Sequence, residues 1–136
     1  MTRRGFQSLP GFLPLLALGL ALLLALPVQA AERRTKIAHN VFFSLTDASP
    51  AAQERLVAAC QRYLKNHQGV VFFAVGTRAK EFSREVNDRD FQVGLHVVFA
   101  SKADHDRYQE HPEHLKFIDE QKANWAKVRV FDSYVE

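Results

Sequence analysis

The order of strand-like and helix-like segments along the chain constrains its fold more than any other feature. Four stretches rich in β-branched and aromatic residues are typical of strands, and they span 36–45, 70–75, 91–100 and 127–134. Apolar residues at helical spacing follow the first stretch, and a second helical stretch, broken by Pro112, separates the last two. The chain therefore alternates as β-α-β-β-α-β after its N-terminal segment.

Capping residues mark the ends of the two helical stretches. Ser49 and Pro50 are a typical helix start, and the first helix is expected to run to about His67, before Gly69. Ser101 resembles the first residue of a capping box at the start of the second helical stretch. Together with the strand order, these signals predict an α+β domain of the ferredoxin-like class, in which the helices cover one face of a four-stranded sheet.

The N-terminal segment has the composition of a secretory signal peptide. Arg3 and Arg4 give it a positive start, an apolar run follows at 12–26, and small residues end at Ala30. The alternative is an uncleaved membrane anchor, but the apolar run is shorter than the roughly 20 residues that a spanning helix needs. We therefore expect cleavage after Ala30 and a periplasmic or secreted protein without stable membrane insertion.

The mature domain, 31–136 after removal of the signal peptide 1–30, is nearly balanced in charge. The whole chain carries a formal charge of +3, and subtracting the two arginines of the signal peptide leaves +1. This small charge and the lack of a basic run argue against nucleic acid as a partner. Cys60 is the only cysteine, which excludes an internal disulfide, and its place on the apolar helix face predicts a buried core residue.

Both surfaces of the predicted sheet carry apolar side chains. In the first strand Val41 and Phe43 point to one surface and Phe42 points to the other. In the third strand Phe91 and every second residue up to Phe99 share one surface. A sheet with one wet surface would carry polar residues there. We therefore predict a homodimer, in which a second copy covers the surface that the helices leave free and the barrel so formed encloses space for a ligand.

A motif in the second helical stretch resembles that of a known family. Tyr108 and the sequence His-Pro-Glu-His at 111–114 follow a strand that ends in Phe99, and Trp125 precedes the final strand. With this spacing, the chain resembles the stress-responsive α/β barrel (Dabb) family over about residues 36–134. The resemblance implies a dimeric α+β barrel, and it implies less about function, because most members of the family have no assigned activity.

The resemblance also implies a set of site residues. The motif region is similar to that of plant polyketide cyclases of the olivetolic acid cyclase type, in which the Tyr and the second His of the motif serve an intramolecular aldol condensation. By position, Tyr108 and His114 would be the catalytic pair. Five further residues would line the cavity: His39, Val41, Leu95, Phe117 and Trp125.

Three hypotheses about function follow. The favoured one is an exported barrel protein that binds a small apolar or aromatic molecule in the dimer cavity. The second is a cofactor-free cyclase or isomerase that uses Tyr108 and His114, and a cofactor-free monooxygenase is a weaker third. For His114 and His39, burial as hydrogen-bonded core residues is the structural alternative. His96 has the opposite parity from Leu95, so we expect it to lie outside the pocket.

A group of acidic and histidine residues near the motif has the side chains that transition metals prefer. These residues are Asp104, His105, Asp106, His111 and His114. Their spacing matches no known zinc motif such as His-Glu-x-x-His. Asp104 and Asp106 are also expected on different sides of a helix. We therefore expect neither a metal site nor a cofactor.

Overall fold

A computed structural model of the chain describes residues 35–136, and the predicted signal peptide lies outside the described residues. The elements in chain order are β1 (Lys36–Leu45), α1 (Pro50–Leu64), β2 (Val70–Thr77), β3 (Val93–Phe99), α2 (Lys102–Glu110), α3 (Pro112–Gln121) and β4 (Trp125–Val135). Within this part of the chain, no helix is both long and apolar enough to cross a membrane.

The four strands form one antiparallel sheet in the order β2-β3-β1-β4. β1 is central and pairs with β3 on one side and β4 on the other. In this register His39 lies opposite Val97 and Asp132, and Val41 lies opposite Leu95. Residues that lie opposite one another project from the same face. The topology confirms the ferredoxin-like α+β fold.

The two faces of the sheet carry different residues. The covered face, on which the helices pack, carries Ile37, His39, Val41 and Phe43 from β1 and Val93, Leu95, Val97 and Phe99 from β3. The open face carries Asn40 and Phe42 from β1, Gly94, His96 and Val98 from β3, Phe72 from β2, and Arg129 and Phe131 from β4. Cys60 on α1 is buried against the covered face, as predicted.

The side chain of Phe91 lies on the open face and not, as predicted, on the same face as Phe99. β3 begins at Val93, and the ring of Phe91, before it, packs edge-on against Phe42 of the open face at 4.9 Å. The physical reason is Gln92, whose backbone N–H donates to Phe43 O and whose side-chain oxygen accepts from Leu45 N. Because of these bonds, the regular in-and-out alternation of β3 side chains starts only at Val93. The side chain of Phe91 therefore does not follow that alternation.

The first helix begins where the sequence predicts and ends earlier. Ser49 caps α1 by accepting a hydrogen bond from Ala52 N, whereas the helix ends at Leu64 and not near His67. Gly69 then turns the chain with a φ of +87°, in the left-handed region that favours glycine. A Cβ at Gly69 would also clash with the side chain of Asp104. Both the positive φ and the contact with Asp104 therefore exclude a side chain at position 69.

The second helical stretch is two separate helices because Pro112 cannot continue α2. Ser101 caps α2 by accepting from Asp104 N. His111 ends α2 and caps α3, since its Nδ1 accepts from Glu113 N at 3.2 Å. The change of direction at Pro112 lets both helices approach the covered face near the same point.

Candidate functional site

The predicted site residues meet at one cavity within a single subunit. The cavity has a volume of about 150 Å³ and lies between the covered face, α2 and α3, beside the edge strand β4. Its lining includes every predicted site residue: His39, Val41, Leu95, Tyr108, His114, Phe117 and Trp125. The sequence analysis places the chamber between the two sheets of a dimer. The structure instead places these residues under the helices of a single chain, around a cavity that is open on one side.

Local geometry explains why these residues converge. His39 and Val41 are two residues apart on β1 and therefore share a face, and Leu95 lies opposite Val41 on β3. Tyr108 lies in the last turns of α2 and His114 in the first turn of α3, on either side of the break at Pro112. The break thus brings two residues that are six positions apart into ring contact.

Tyr108 is buried and its hydroxyl is not satisfied. The residue is 2% exposed, and its hydroxyl has no hydrogen-bond partner among residues 35–136. Burial raises the pKa of Tyr108, so the phenol stays protonated at neutral pH and can donate a hydrogen bond. An unsatisfied buried hydroxyl costs roughly 1–3 kcal/mol. A ligand with an acceptor oxygen in the cavity would recover part of that cost.

His114 is held in the tautomer that suits a base. It is 8% exposed, and its Nδ1 lies 3.1 Å from the backbone oxygen of Gln109. Because a carbonyl oxygen only accepts, Nδ1 donates, and in the neutral ring Nε2 is left unprotonated. Burial lowers the pKa of His114 further than the bond to Gln109 raises it, so the ring is neutral near pH 7. Its centroid lies 4.4 Å from that of the Tyr108 ring.

His39 is oriented by an acidic residue that the sequence analysis did not identify. Its Nδ1 lies 2.6 Å from Oδ1 of Asp132 on β4. Burial lowers the pKa of His39, and the hydrogen bond to Asp132 opposes that shift in part. The alternation of the final strand places Asp132 on the same face as Val130. Its position opposite His39 depends on strand register, which the sequence does not show.

The cavity reaches the edge of the sheet along β4. Val128 and Val130 line it there and are partly exposed. Trp125 lies at the start of the same strand, and its indole Nε1 is buried without a hydrogen-bond partner among the described residues. Two residues that line the cavity, Tyr108 and Trp125, thus each carry a buried donor without a partner among residues 35–136, and the lining is otherwise mostly apolar.

His96 belongs to the open face, as its parity predicts. Its Nδ1 lies 2.8 Å from Oδ1 of Asn40. A second depression, of about 390 Å³, lies beside it and is lined in part by Phe42 and Phe91. It shares no lining residue with the cavity under the helices.

The candidate metal ligands near the motif do not form one group. Asp104 is engaged by Ser101 and Arg107. His105 on α2 instead approaches two residues on strands, His39 on β1 and Asp132 on β4, and one ligand atom from each of these three lies within 4.8 Å of the others. The sequence analysis considered His105 only with its neighbours in the chain, so it did not find this grouping.

Comparison with known proteins identifies the family. The family model described as the stress responsive A/B barrel domain, Dabb, matches residues 37–135. The chain belongs to the Dabb family. No curated protein matches it.

Solved structures with the same fold support this assignment. A Dabb protein with a ferredoxin-like fold from Mesorhizobium loti is 25% identical, with a TM-score of 0.63, over 76% of this chain and 99% of that chain. A dimeric ferredoxin-like protein of unknown function from Thermobifida fusca is 14% identical, with a TM-score of 0.62, over 76% and 93%. A hydroxynitrile lyase from Passiflora edulis is 20% identical, with a TM-score of 0.61, over 75% and 94%. The last two likenesses show the fold alone.

Proposed function

We propose that this Dabb protein is an exported homodimer that binds a small aromatic or apolar molecule in the cavity under the helices of each subunit. The observation that carries the proposal is a mostly apolar cavity lined by two residues, Tyr108 and Trp125, that each carry a buried donor without a partner among residues 35–136. An apolar ring would fill its volume. A carbonyl or ether oxygen on that ring would accept a hydrogen bond from Tyr108 or from the indole N–H of Trp125.

The size of the cavity limits the ligand. An apolar protein cavity of about 150 Å³ holds one benzene molecule. The cavity of this subunit has the same volume, so it suits one ring with one small substituent. Ile118 and Phe117 line it and narrow it at the α3 side. A long, flexible substrate such as a linear polyketide would not fit inside.

The homodimer is proposed from the open face. Phe72 is 54% exposed and Phe131 is 52% exposed, and both lie on a face that no helix in residues 35–136 covers. Exposed apolar residues that share a face are typical of an interface. Export is proposed from the composition of residues 1–30, whose positive start, apolar run and small residues are those of a signal peptide. The described dimer of the Thermobifida fusca protein supports the same assembly.

Binding can be followed through the only tryptophan of the chain, Trp125, which lines the cavity. We expect benzaldehyde to change its fluorescence with a saturable dependence on concentration. A two-ring probe, 2-naphthaldehyde, should bind at least about tenfold more weakly, since it exceeds the single-ring volume.

A matched pair of variants tests the location. Val130→Phe fills the open end of the cavity from a partly exposed position, and Val71→Phe adds the same ring to an exposed position on β2. The first should abolish binding and the second should leave it unchanged. Equal binding by both variants, or no saturable change in the unaltered protein at millimolar benzaldehyde, would contradict the proposal.

A second candidate function is proton transfer on the bound molecule. The carrying observation is the ring contact between His114, whose Nε2 is unprotonated, and Tyr108, whose buried hydroxyl has no partner among residues 35–136. His114 would remove a proton next to a carbonyl, and Tyr108 would donate a hydrogen bond to the oxygen on which negative charge develops. No cofactor is needed for this step.

Acetophenone in D₂O provides a direct assay for this activity, because loss of its methyl proton signal in NMR reports removal of a proton next to the carbonyl. We expect the protein to accelerate this exchange, and Tyr108→Phe and His114→Gln to abolish the acceleration. Tyr108→Phe should also raise the free energy of unfolding by up to about 1–3 kcal/mol, because it removes an unsatisfied hydroxyl. Exchange at the uncatalysed rate in the unaltered protein would leave binding as the function.

A further inference from the structure

A cluster of two histidines and one aspartate lies at the outer side of the covered face. His39 comes from β1, His105 from α2 and Asp132 from β4. One ligand atom of each lies within 4.8 Å of the other two. We propose that these three residues bind a divalent first-row transition-metal ion, most readily Zn²⁺. His105 and Asp132 do not line the cavity under the helices, and only His39 is shared with it.

The distances suit a metal after a small adjustment. Oδ1 of Asp132 lies 2.6 Å from Nδ1 of His39 and 4.0 Å from Nε2 of His105. Zinc binds nitrogen and carboxylate oxygen at about 2.0–2.2 Å, which places tetrahedral ligand atoms about 3.3 Å apart. Oδ1 of Asp132 must therefore move about 0.7 Å away from Nδ1 of His39 and about 0.7 Å towards Nε2 of His105. Its side chain is 47% exposed, so the carboxylate has room to make that change.

His105 is already arranged as a metal ligand. The side-chain amide of Gln109 donates to its Nε2 at 3.1 Å, so that nitrogen carries a lone pair. Its Nδ1 lies 3.4 Å from a carboxylate oxygen of Asp106. Histidines that bind metals almost always donate their other ring N–H to a carboxylate, a carbonyl or water, which orients the ring. On metal binding the Gln109 amide would be displaced from Nε2.

His39 must change tautomer to bind. It now donates from Nδ1 to Asp132, so a metal on Nδ1 requires that the proton move to Nε2 by exchange with solvent. The ring stays neutral and Asp132 is a carboxylate, so the protein supplies one negative charge and no net proton is released. Two histidines and one carboxylate leave at least one coordination position open, as in catalytic zinc sites.

The site faces a surface depression of about 380 Å³, which gives a metal ion and its remaining ligands access from solvent. Its lining includes His105, Asp106 and Asp132, together with Lys102 and Tyr134. Because His39 is shared with the cavity under the helices, an ion here would lie next to that cavity but outside it. The proposal does not depend on what the cavity binds.

Isothermal titration with ZnCl₂ on the purified, chelator-treated protein tests the proposal, and CoCl₂ provides a spectroscopic readout. We expect one ion per chain and, with Co²⁺, visible absorption typical of a site with nitrogen and oxygen ligands. His105→Gln and Asp132→Asn should each weaken binding by about 100-fold or more, since loss of even an outer-shell partner weakens metal sites by roughly 10–100-fold. Asp132→Asn keeps an acceptor for His39, so the fold is retained.

His111→Asn is the matched control. It removes another histidine near the motif and keeps a good helix cap for α3. Zinc affinity should not change in this variant. Circular dichroism of each metal-free variant verifies that it is folded, and His105→Gln carries the test if Asp132→Asn is not. An unaltered protein that binds no zinc at 1:1, or His105→Gln and Asp132→Asn variants that bind as tightly as the His111→Asn control, would overturn the proposal.

Discussion

The covered face and the open face of the same sheet differ in what surrounds their side chains. Phe43 on the covered face is 2% exposed and touches the rings of Phe117 and Trp125, whereas Phe42, the preceding residue, lies on the open face among Phe91, Phe131 and His96. The surroundings of Phe43 are fully packed within one chain, whereas the open face carries apolar rings that remain partly exposed. One face therefore stabilises the subunit, and the other is available for assembly.

The two faces also carry different candidate binding sites, the cavity under the helices on the covered face and the wider depression on the open face. The buried histidines His39 and His114 lie under the helices, where apolar surroundings keep them neutral. The open face places His96 beside Asn40 and a wider depression. Burial and unsatisfied donors favour ligand binding at the covered face. The four predictions below test this division, from the largest expected effect to the smallest.

Truncation of one phenylalanine on each face should lower the free energy of unfolding by very different amounts. Phe43→Ala removes a ring from the packed core and should lower the free energy of unfolding by about 3–5 kcal/mol. Phe72→Ala on the open face should lower it by about 1 kcal/mol or less in the isolated subunit, because that ring is half exposed. Urea denaturation at low protein concentration measures both. Similar costs would show that the open face is as tightly packed as the covered one.

A charge on the open face should disrupt assembly without unfolding the subunit. We expect Phe131→Asp to weaken the proposed homodimer by about 100-fold, which corresponds to about 2.7 kcal/mol. The residue is half exposed in the single chain, so its replacement should leave the fold unchanged.

Light scattering over a range of micromolar concentrations would detect this dissociation, and Val71→Asp on β2 is an exposed control with a similar change of charge. A variant Phe131→Asp that stays dimeric would place the interface elsewhere. An unaltered protein that is monomeric at these concentrations would remove the dimer altogether.

Acid should destabilise the covered face through its buried histidines. The pKa values of His39 and His114 are lowered from 6.5 in the folded protein, so the unfolded chain binds more protons below that pH. Stability should be constant above about pH 7.5, and it should fall as the pH drops below 6.5 until the lowered folded pKa is reached. Each histidine contributes a slope of at most about 1.4 kcal/mol per pH unit.

Urea midpoints at pH 7.5 and pH 5.5 would measure this dependence. His114→Gln should keep only the His39 contribution and so flatten the curve by about half. A profile that is unchanged by His114→Gln would show that His114 is not a buried neutral base.

The smallest effect concerns the thiol of Cys60. Burial raises its pKa to about 12, so almost no thiolate is present at neutral pH and no reagent reaches the sulfur. We expect negligible reaction with Ellman's reagent in the folded protein and complete reaction in urea. Cys60→Ala should cost only about 1 kcal/mol, the scale of a small buried group. Rapid labelling without denaturant would show that α1 opens away from the covered face.

Much of the fold was predictable because its signals are local. Ser49 and Pro50 start α1, Pro112 divides the second helical stretch, and the alternation of β1 places Val41 and Phe43 together. The same local rules failed at Phe91, where hydrogen bonds of Gln92 to another strand end the regular alternation. Strand parity holds only while the pairing is regular, and the pairing depends on residues 47 positions away.

The site was predictable only in part. Resemblance to the family identified Tyr108, His114 and the five lining residues, and the structure brings all of them to one cavity. It did not identify Asp132 as the partner of His39, because a contact across 93 positions leaves no local trace. It also did not show that the cavity lies under the helices of one subunit.

The sequence by itself determined the strand and helix order, the two apolar surfaces of the sheet and the chemical types of residue near the motif, since these follow from periodicity, capping and composition. Only the tertiary structure decided which surface the helices cover, which donors are left without partners and that His39, His105 and Asp132 converge. The physical reason is that burial and pairing are properties of packed neighbours. Strand register and helix docking choose those neighbours from residues that are far apart in the chain.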